Sequence, residues 1–361
     1  MDTWVPYLQA QLYPDTLTSQ IIWVYVILNI ILIEYAYRKI EFLKEKNEKR
    51  DGPFWSYRRL DTERWARWKF HFGAIFTGMI PRCLLVGATV GGFLLWTKIC
   101  SIGAPQNEPY GPLRRELIRK VANPVGRLTC FWTGLWWINR VDKRRIDPKT
   151  CEPEWAPIIT VNHVSWIDIP LFIGNDCPSF VAKVSVENIP FVGPLARAIQ
   201  CLFVQRANDQ SRAEVIEQVK KRQNQIYDAQ GKGYPQLLIF AEGTTTNGAS
   251  MVRFKRGPFA SGLPIQPVGL QFDGPFFGPD MGVIPFDVHM ILCLSQPWLS
   301  LTMTFLPVYK PKHSTEDWEK DAGILKEIMS KEMGIKMSDL TYREKVQYYN
   351  VIYKTKIKET Q

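Results

Sequence analysis

The stretch APIITVNHVSWIDIPLFIG, residues 156–174, decides how this chain folds. Its first part, "APIITVN", is apolar and β-branched, the composition of a buried strand. Its last part, "IDIPLFIG", follows a short polar loop. Between them stand His163 and Asp168. Five residues at about 100° each amount to a net rotation of roughly 140°, so no straight helix presents both on one face. They meet only if His163 precedes the helix and turns back over its start. A strand feeding a loop and then a helix is where α/β enzymes tend to place reactive groups. Taken alone, one of the chain's four histidines in such a loop reads as a structural residue.

Downstream, short strand-type runs alternate with helical ones. "PSFVAKVSV" (178–186), "CLFVQR" (201–206), "PQLLIFAEG" (235–243), "GLPIQPVGLQF" (262–272) and "LSLTMTFLPVY" (299–309) read as strands. "PFVGPLARAIQ" (190–200) reads as a short helix and "SRAEVIEQVKKRQNQIYDAQ" (211–230) as a charged amphipathic one, with Ser211 as N-cap. Ser314 with Asp317 caps a last helical region. This alternation predicts an α/β fold, a mostly parallel sheet covered by helices.

Upstream, the character is that of a membrane. "IIWVYVILNIILIEYAY", residues 21–37, is at the short end of a bilayer span. Unlike a cleavable signal, it is not preceded by a basic cluster. Between Arg38 and Lys69 there are eleven Lys/Arg against six acids, which places this loop on the cytoplasmic side. A second apolar segment, residues 70–100, is interrupted by Pro81 and Arg82. Its clean part, Cys83 to Thr97, covers about 22 Å as a helix, short of a hydrocarbon core of about 30 Å. With basic residues on both sides, a re-entrant hairpin bent at Pro81 is expected, a full crossing being the alternative. "CFWTGLWWINRVDKRR" (130–145) has the composition of a segment lying in the membrane interface, or of a core helix with a basic tail. The resulting division is an N-terminal region of membrane-embedded helices over 1–115 and a catalytic domain over 116–361.

Composition agrees. The net charge is +10, with 13 Trp, 14 Tyr and 19 Phe. A basic chain suits nucleic acid or an anionic membrane; the tryptophans favour the membrane, and no zinc-finger or RNA-binding signature supports nucleic acid. The seven cysteines are scattered without a C-x-x-C pair and read as reduced thiols. No His/Cys/Asp cluster has metal-ligand spacing, and no G-x-S-x-G elbow is present.

Four blocks occur in order: "NHVSWID" (162–168), "VAKVSVENIPFVGPLARAIQCLFVQR" (181–206), "FAEGTTTNG" (240–248), and "FKRGPF" with "IQPVGL" (254–270). Together they resemble the glycerolipid acyltransferase family, whose first motif is histidine, four residues, aspartate. The resemblance spans roughly residues 70–345. It implies that His163 is a general base and Asp168 its orienting partner. It implies further that Arg206 holds the lipid phosphate, that Glu242, Gly243 and Thr244 shape the acceptor site, and that Lys183 and Pro267 contribute to substrate binding. The co-substrate would be acyl-CoA, with no cofactor or metal, and the partners membrane lipids at the endoplasmic reticulum, with catalysis on the cytosolic side.

Members acting on lysophosphatidic acid typically carry a basic residue directly after Glu-Gly-Thr. Here Thr245 takes that place. A phosphomonoester benefits from a cation there more than a phosphodiester does, so the chain looks closer to the lysophosphatidylcholine and lysophosphatidylethanolamine acyltransferases. A glycerol-3-phosphate or lysophosphatidic acid acyltransferase is the alternative within the family. A CoA-independent transacylase using the same His/Asp pair and a non-enzymatic lipid-binding scaffold built on a decayed acyltransferase fold are further alternatives. The family's usual proline before the glutamate is Ala241 here. Some relatives carry EF-hands; no such loop is found, and calcium control by that route is not expected.

Overall fold

The computed structural model describes residues 16–104, 108–205 and 209–359. Among them seven strands form one sheet in the order β1–β8–β7–β2–β5–β3–β4. These are β1 (Leu135–Asp142), β2 (Ile158–Val161), β3 (Ser179–Lys183), β4 (Leu202–Val204), β5 (Leu237–Phe240), β7 (Ile265–Asp273) and β8 (Leu299–Phe305). All neighbours are parallel except β7 and β8. β6 (Ser250–Met251) and β9 (Lys336–Met337) form a small parallel pair apart from it. The sheet is thus of the expected α/β kind.

The central strands β2 and β5 are almost wholly buried, as befits a parallel sheet covered on both faces. Their side chains alternate. Ile159, Val161 and Leu238 enter one core, Ile158, Leu237 and Ile239 the other. The second core is closed by α7 (Asp209–Asp228) and α9 (Trp318–Met333), through Val219, Ile226, Leu325 and Met329.

The first core is closed by α1 (Leu17–Ile40), α2 (Arg67–Phe76), α4 (Pro112–Trp132), α5 (Asp168–Ile173), α8 (Phe286–Ser295) and α10 (Tyr342–Glu359). Tyr37 and Ile40 of α1 and Phe70 of α2 belong to the same cluster as Val268 and Leu270 of β7. The boundary expected at 115/116 falls inside α4, so the apolar N-terminal helices and the sheet share one core.

Among the described residues two helices are long and apolar enough to cross a membrane: α1, extended by a turn to Lys44, and α3 (Met79–Cys100). α1 buries a stripe of Ile33, Ala36, Tyr37 and Ile40, yet leaves Leu17, Ile21, Val24 and Ile31 more than half exposed. Outward apolar side chains on a long helix are what lipid contact requires. The second apolar segment differs from the expected hairpin bent at Pro81. The break lies at Gly78, whose φ of +74° ends α2 and starts α3. Pro81 sits in the first turn of α3, where its missing N–H costs no helical bond. Arg82 is buried, and its guanidinium donates to the carbonyls of Trp132 (2.9 Å), Leu294 (3.0 Å) and Gln296 (2.8 Å). It pins α3 to the domain, and the helix continues unbroken for 22 residues, about 33 Å.

The segment 130–145 differs from the core helix with a basic tail. α4 ends at Trp132, Gly134 turns with φ +92°, and β1 pairs along β8. Edge-strand pairing outweighs the helical reading, and leaves Trp136 and Trp137 exposed. The seven cysteines are all free.

α4 crosses α5 at backbone contact. A Cβ on Gly126 would stand 2.2 Å from the Gly174 nitrogen and 2.5 Å from the Pro170 carbonyl oxygen. Gly126→Ala is therefore expected to destabilise the protein by about 1–3 kcal/mol through overpacking, read as a lower midpoint of thermal unfolding. An unchanged midpoint would mean that α5 moves freely.

Candidate active site

The parallel strands β2, β3, β4 and β5 send their carboxyl ends to one edge of the sheet, the usual position for a site in an open α/β fold. Val161 of β2 is registered with Phe240 of β5, so the loops carrying His163 and Glu242 leave side by side. Asn162 ends β2. Its side chain donates to the Leu270 carbonyl (3.0 Å) and accepts the Leu270 N–H (2.7 Å), replacing a strand pairing and turning the chain.

His163 then folds back over the start of α5. Its Nδ1 lies 2.8 Å from Oδ2 of Asp168, the first residue of that helix. The same oxygen accepts the N–H groups of Val164 (2.9 Å) and Ser165 (3.0 Å). Asp168 is fully buried. An ionised carboxylate only accepts, so Nδ1 carries a ring proton, and in the neutral ring Nε2 then holds the lone pair. Phe240 stacks on the ring at 3.8 Å between centroids and 17° between planes. The loop is braced from outside. The Trp166 indole donates to Nδ1 of His289 (3.2 Å), which burial pushes down to about 3, so it stays neutral and accepts.

Glu242 faces inward. It is fully buried, with Oε1 accepting the His163 N–H (2.8 Å) and Oε2 the Val252 N–H (3.0 Å). It ties the histidine loop to the loop after β5; both its oxygens are occupied by backbone, so it positions His163 rather than lining the acceptor site. Burial pushes its carboxyl up to about 8, against the pull of those two N–H groups. Between about 4.5 and about 8 the folded protein holds this proton and the unfolded chain releases it, so stability falls as pH rises through that window. In Glu242→Gln this fall is expected to vanish, and the stability of the variant relative to wild type to climb with pH across the window. Unfolding at several pH values tests this; a constant difference would mean an ionised Glu242 throughout.

Gly243 has φ +66°, a conformation that glycine tolerates best. It lines a cavity of about 1010 Å³ beside the pair. Phe240 is a wall of this cavity too, so His163 and the cavity share one aromatic side chain. Val181, Val204, Val215, Ile216, Phe254 and Trp318 make an apolar lining; Lys183, Arg212, Arg253, Lys255 and Arg256 add cations.

The other expected residues fare differently. Lys183 ends β3, is exposed, and lies at the cavity with its Nζ 5.5 Å from the Tyr342 ring centre. Thr244 is buried and does not line the cavity. Pro267 is buried inside β7, registered with Thr160, and its carbonyl accepts the Leu306 N–H (3.1 Å). It belongs to the sheet, not to a substrate surface, because β7 runs past that position for six more residues. Arg206 lies outside the described residues.

The sequence reading missed Lys345. Its Nζ donates to both the carbonyl (2.7 Å) and the hydroxyl (2.6 Å) of Thr245. The position after Glu-Gly-Thr therefore has a cation, supplied by α10 and separated by 100 residues. No local signal marks it.

Residues 147–271 match the family model described as Acyltransferase. They form an acyltransferase-family domain. It contains His163, Asp168 and the whole Glu242–Thr246 loop. The chain is 32% identical over 230 residues to the lysophospholipid acyltransferase LPEAT2 of Arabidopsis thaliana, covering 64% of this chain and 40% of that protein. It is 30% identical over 260 residues to lysophosphatidylcholine acyltransferase 1 of Rattus norvegicus, covering 68% and 45%. The chain thus spans less than half the length of either relative. Among solved structures, the 1-acyl-sn-glycerophosphate (LPA) acyltransferase PlsC of Thermotoga maritima superposes with a TM-score of 0.45 at 20% identity, covering 71% of this chain and 93% of that one.

Proposed function

We propose that this protein is an acyl-CoA-dependent lysophospholipid acyltransferase of the lysophosphatidylcholine or lysophosphatidylethanolamine type. The observation that carries the reading is a histidine whose Nδ1 is held by a buried carboxylate, beside a cavity with apolar lining and cations around it. The names of the relatives support the acceptor class.

A lysolipid hydroxyl is a weak nucleophile at neutral pH. Nε2 of His163 takes its proton while the oxygen attacks the thioester carbonyl. Asp168 holds the tautomer and stabilises the imidazolium. The carbon–sulfur bond then breaks, and the proton on the imidazolium passes to the departing CoA thiolate. The products are a diacyl phospholipid and free CoA. No acyl-enzyme is needed, because the thiolate is already a good leaving group. The apolar lining suits an acyl chain and the cations suit the phosphates of CoA.

The outward apolar faces of α1 and α3 support attachment to a membrane, which we assign to the endoplasmic reticulum. The basic segment 38–69 next to α1 supports a site on the cytosolic side.

The test is CoA release by the purified full chain in nanodiscs, wild type beside His163→Ala. Palmitoyl- and oleoyl-CoA are paired with lysophosphatidylcholine, lysophosphatidylethanolamine, lysophosphatidic acid and glycerol-3-phosphate. Release with a lysophosphodiester that disappears in the variant supports the reading. Release only with the two phosphomonoesters overturns the acceptor class. No release with any acceptor points to a CoA-independent transacylase or a lipid-binding scaffold.

A further inference from the structure

We propose that Lys345 of α10 is the cation of the acceptor site, orienting the Thr245 hydroxyl and supplying one positive charge for the acceptor's phosphate. This deepens, and rests on, the lysophospholipid reading above. Lys345 lies outside the family region 147–271.

Geometry comes first. An ammonium only donates. With Nζ donating to the Thr245 oxygen at 2.6 Å, the Thr245 hydroxyl proton must point away from Lys345. Thr245 itself is half-buried. The next residue's N–H bonds the His163 carbonyl (2.9 Å), which puts the oriented hydroxyl one residue from the histidine loop.

Charge is the second observation. Lys345 forms no ion pair with any described residue. Burial pushes it down to about 8. An enclosed cation without a paired carboxylate is costly, and an anionic ligand beside it completes the pair.

The third observation is placement. The first turn of α10 carries Tyr342 at the cavity, and residues three apart share a helix face. α10 is held by the Tyr57 hydroxyl on the Thr341 carbonyl (2.7 Å) and by the Tyr348 hydroxyl on Asp51 (3.1 Å). Lys345 thus lies between two anchored points of this segment.

The experiment uses the full chain in dodecyl maltoside and two unreactive amphiphiles titrated by calorimetry. Hexadecylphosphocholine carries a phosphodiester; 1-O-hexadecylglycerol carries none. Wild type is expected to bind the phosphocholine more tightly. Lys345→Met is expected to weaken that binding by about tenfold or more and to leave the glycerol ether unchanged, while Lys345→Arg keeps the preference. Lys345→Gln replaces the methionine variant if that protein fails to fold. Equal binding of the phosphocholine by wild type and the uncharged variant, or equal loss for both amphiphiles, overturns the proposal. CoA-release assays on the same preparations separate the two failures. Lysolipid acylation without any effect of Lys345 on phosphate binding sinks the assignment of Lys345 alone. Lys345-dependent phosphate binding without acylation sinks the acyltransferase reading.

Discussion

His163→Ala is expected to lower the rate of CoA release by on the order of 10²–10⁴-fold, with acyl-CoA binding little changed. In the proposed mechanism the ring takes the acceptor proton, while the cavity that would hold the thioester is lined by other side chains. Stopped or steady-state assays against acyl-CoA concentration separate the two quantities. A loss confined to KM would make His163 a binding residue and sink the general-base role. Asp168→Asn gives a sharper result. All three bonds to Asp168 fall on Oδ2, and Oδ1 has no partner among the described residues. An asparagine with its amide nitrogen at the Oδ1 position keeps those three bonds and the ring tautomer. What it loses is the negative charge. The variant is expected to fold as wild type and still to lose about 10²-fold or more in kcat. Near wild-type turnover would show that the aspartate only orients the ring.

The second large effect is structural. Arg59 is fully enclosed, its Nε donating to Asp61 (2.8 Å) and its Nη1 paired with Asp280 (2.9 Å). The guanidinium also lies 4.4 Å from the Phe277 ring centre. Arg59→Met leaves two buried carboxylates with no cation. A loss of about 3–5 kcal/mol of stability is expected, because breaking a buried pair costs far more than the intact pair contributes. Thermal or denaturant unfolding reads it. Activity is expected to fall too, since the Met281 N–H bonds the Val164 carbonyl (3.1 Å) beside the histidine. Removing the partners as well, in Arg59→Met/Asp61→Asn/Asp280→Asn, is expected to restore most of the stability. A small loss in Arg59→Met would show that water reaches the two carboxylates.

These contacts tie the segment after α1 to the catalytic loops. Asn247 donates to the carbonyls of Trp55 (2.6 Å) and Arg58 (3.1 Å), and its own N–H bonds Ser56 (3.0 Å). The loop carrying Glu242 and Thr245 is thus held between the membrane-proximal segment and α10.

Much of this was written locally in the chain. The apolar runs of β2 and β5 bury on both faces and form central strands of a sheet covered on both sides. The spacing of His163 and Asp168 forces the fold-back that brings them within 2.8 Å. The apolar run of α1 made a long outward-facing helix. Other features were decided by contacts between distant segments. Arg82 looked like a break in an apolar run, yet three distant carbonyls make it a staple. Trp136 and Trp137 look helical or interfacial until β8 is there to pair with. Glu242 looks like a ligand for substrate until the His163 and Val252 N–H groups occupy its oxygens. Lys345 is an ordinary surface lysine in the sequence and becomes a site residue only because α10 folds back on the Thr245 loop. Period and composition report what one segment prefers within a few residues. The partner of a buried charge or an edge strand is chosen by the whole fold, because desolvated polar groups take whatever complement the tertiary packing delivers.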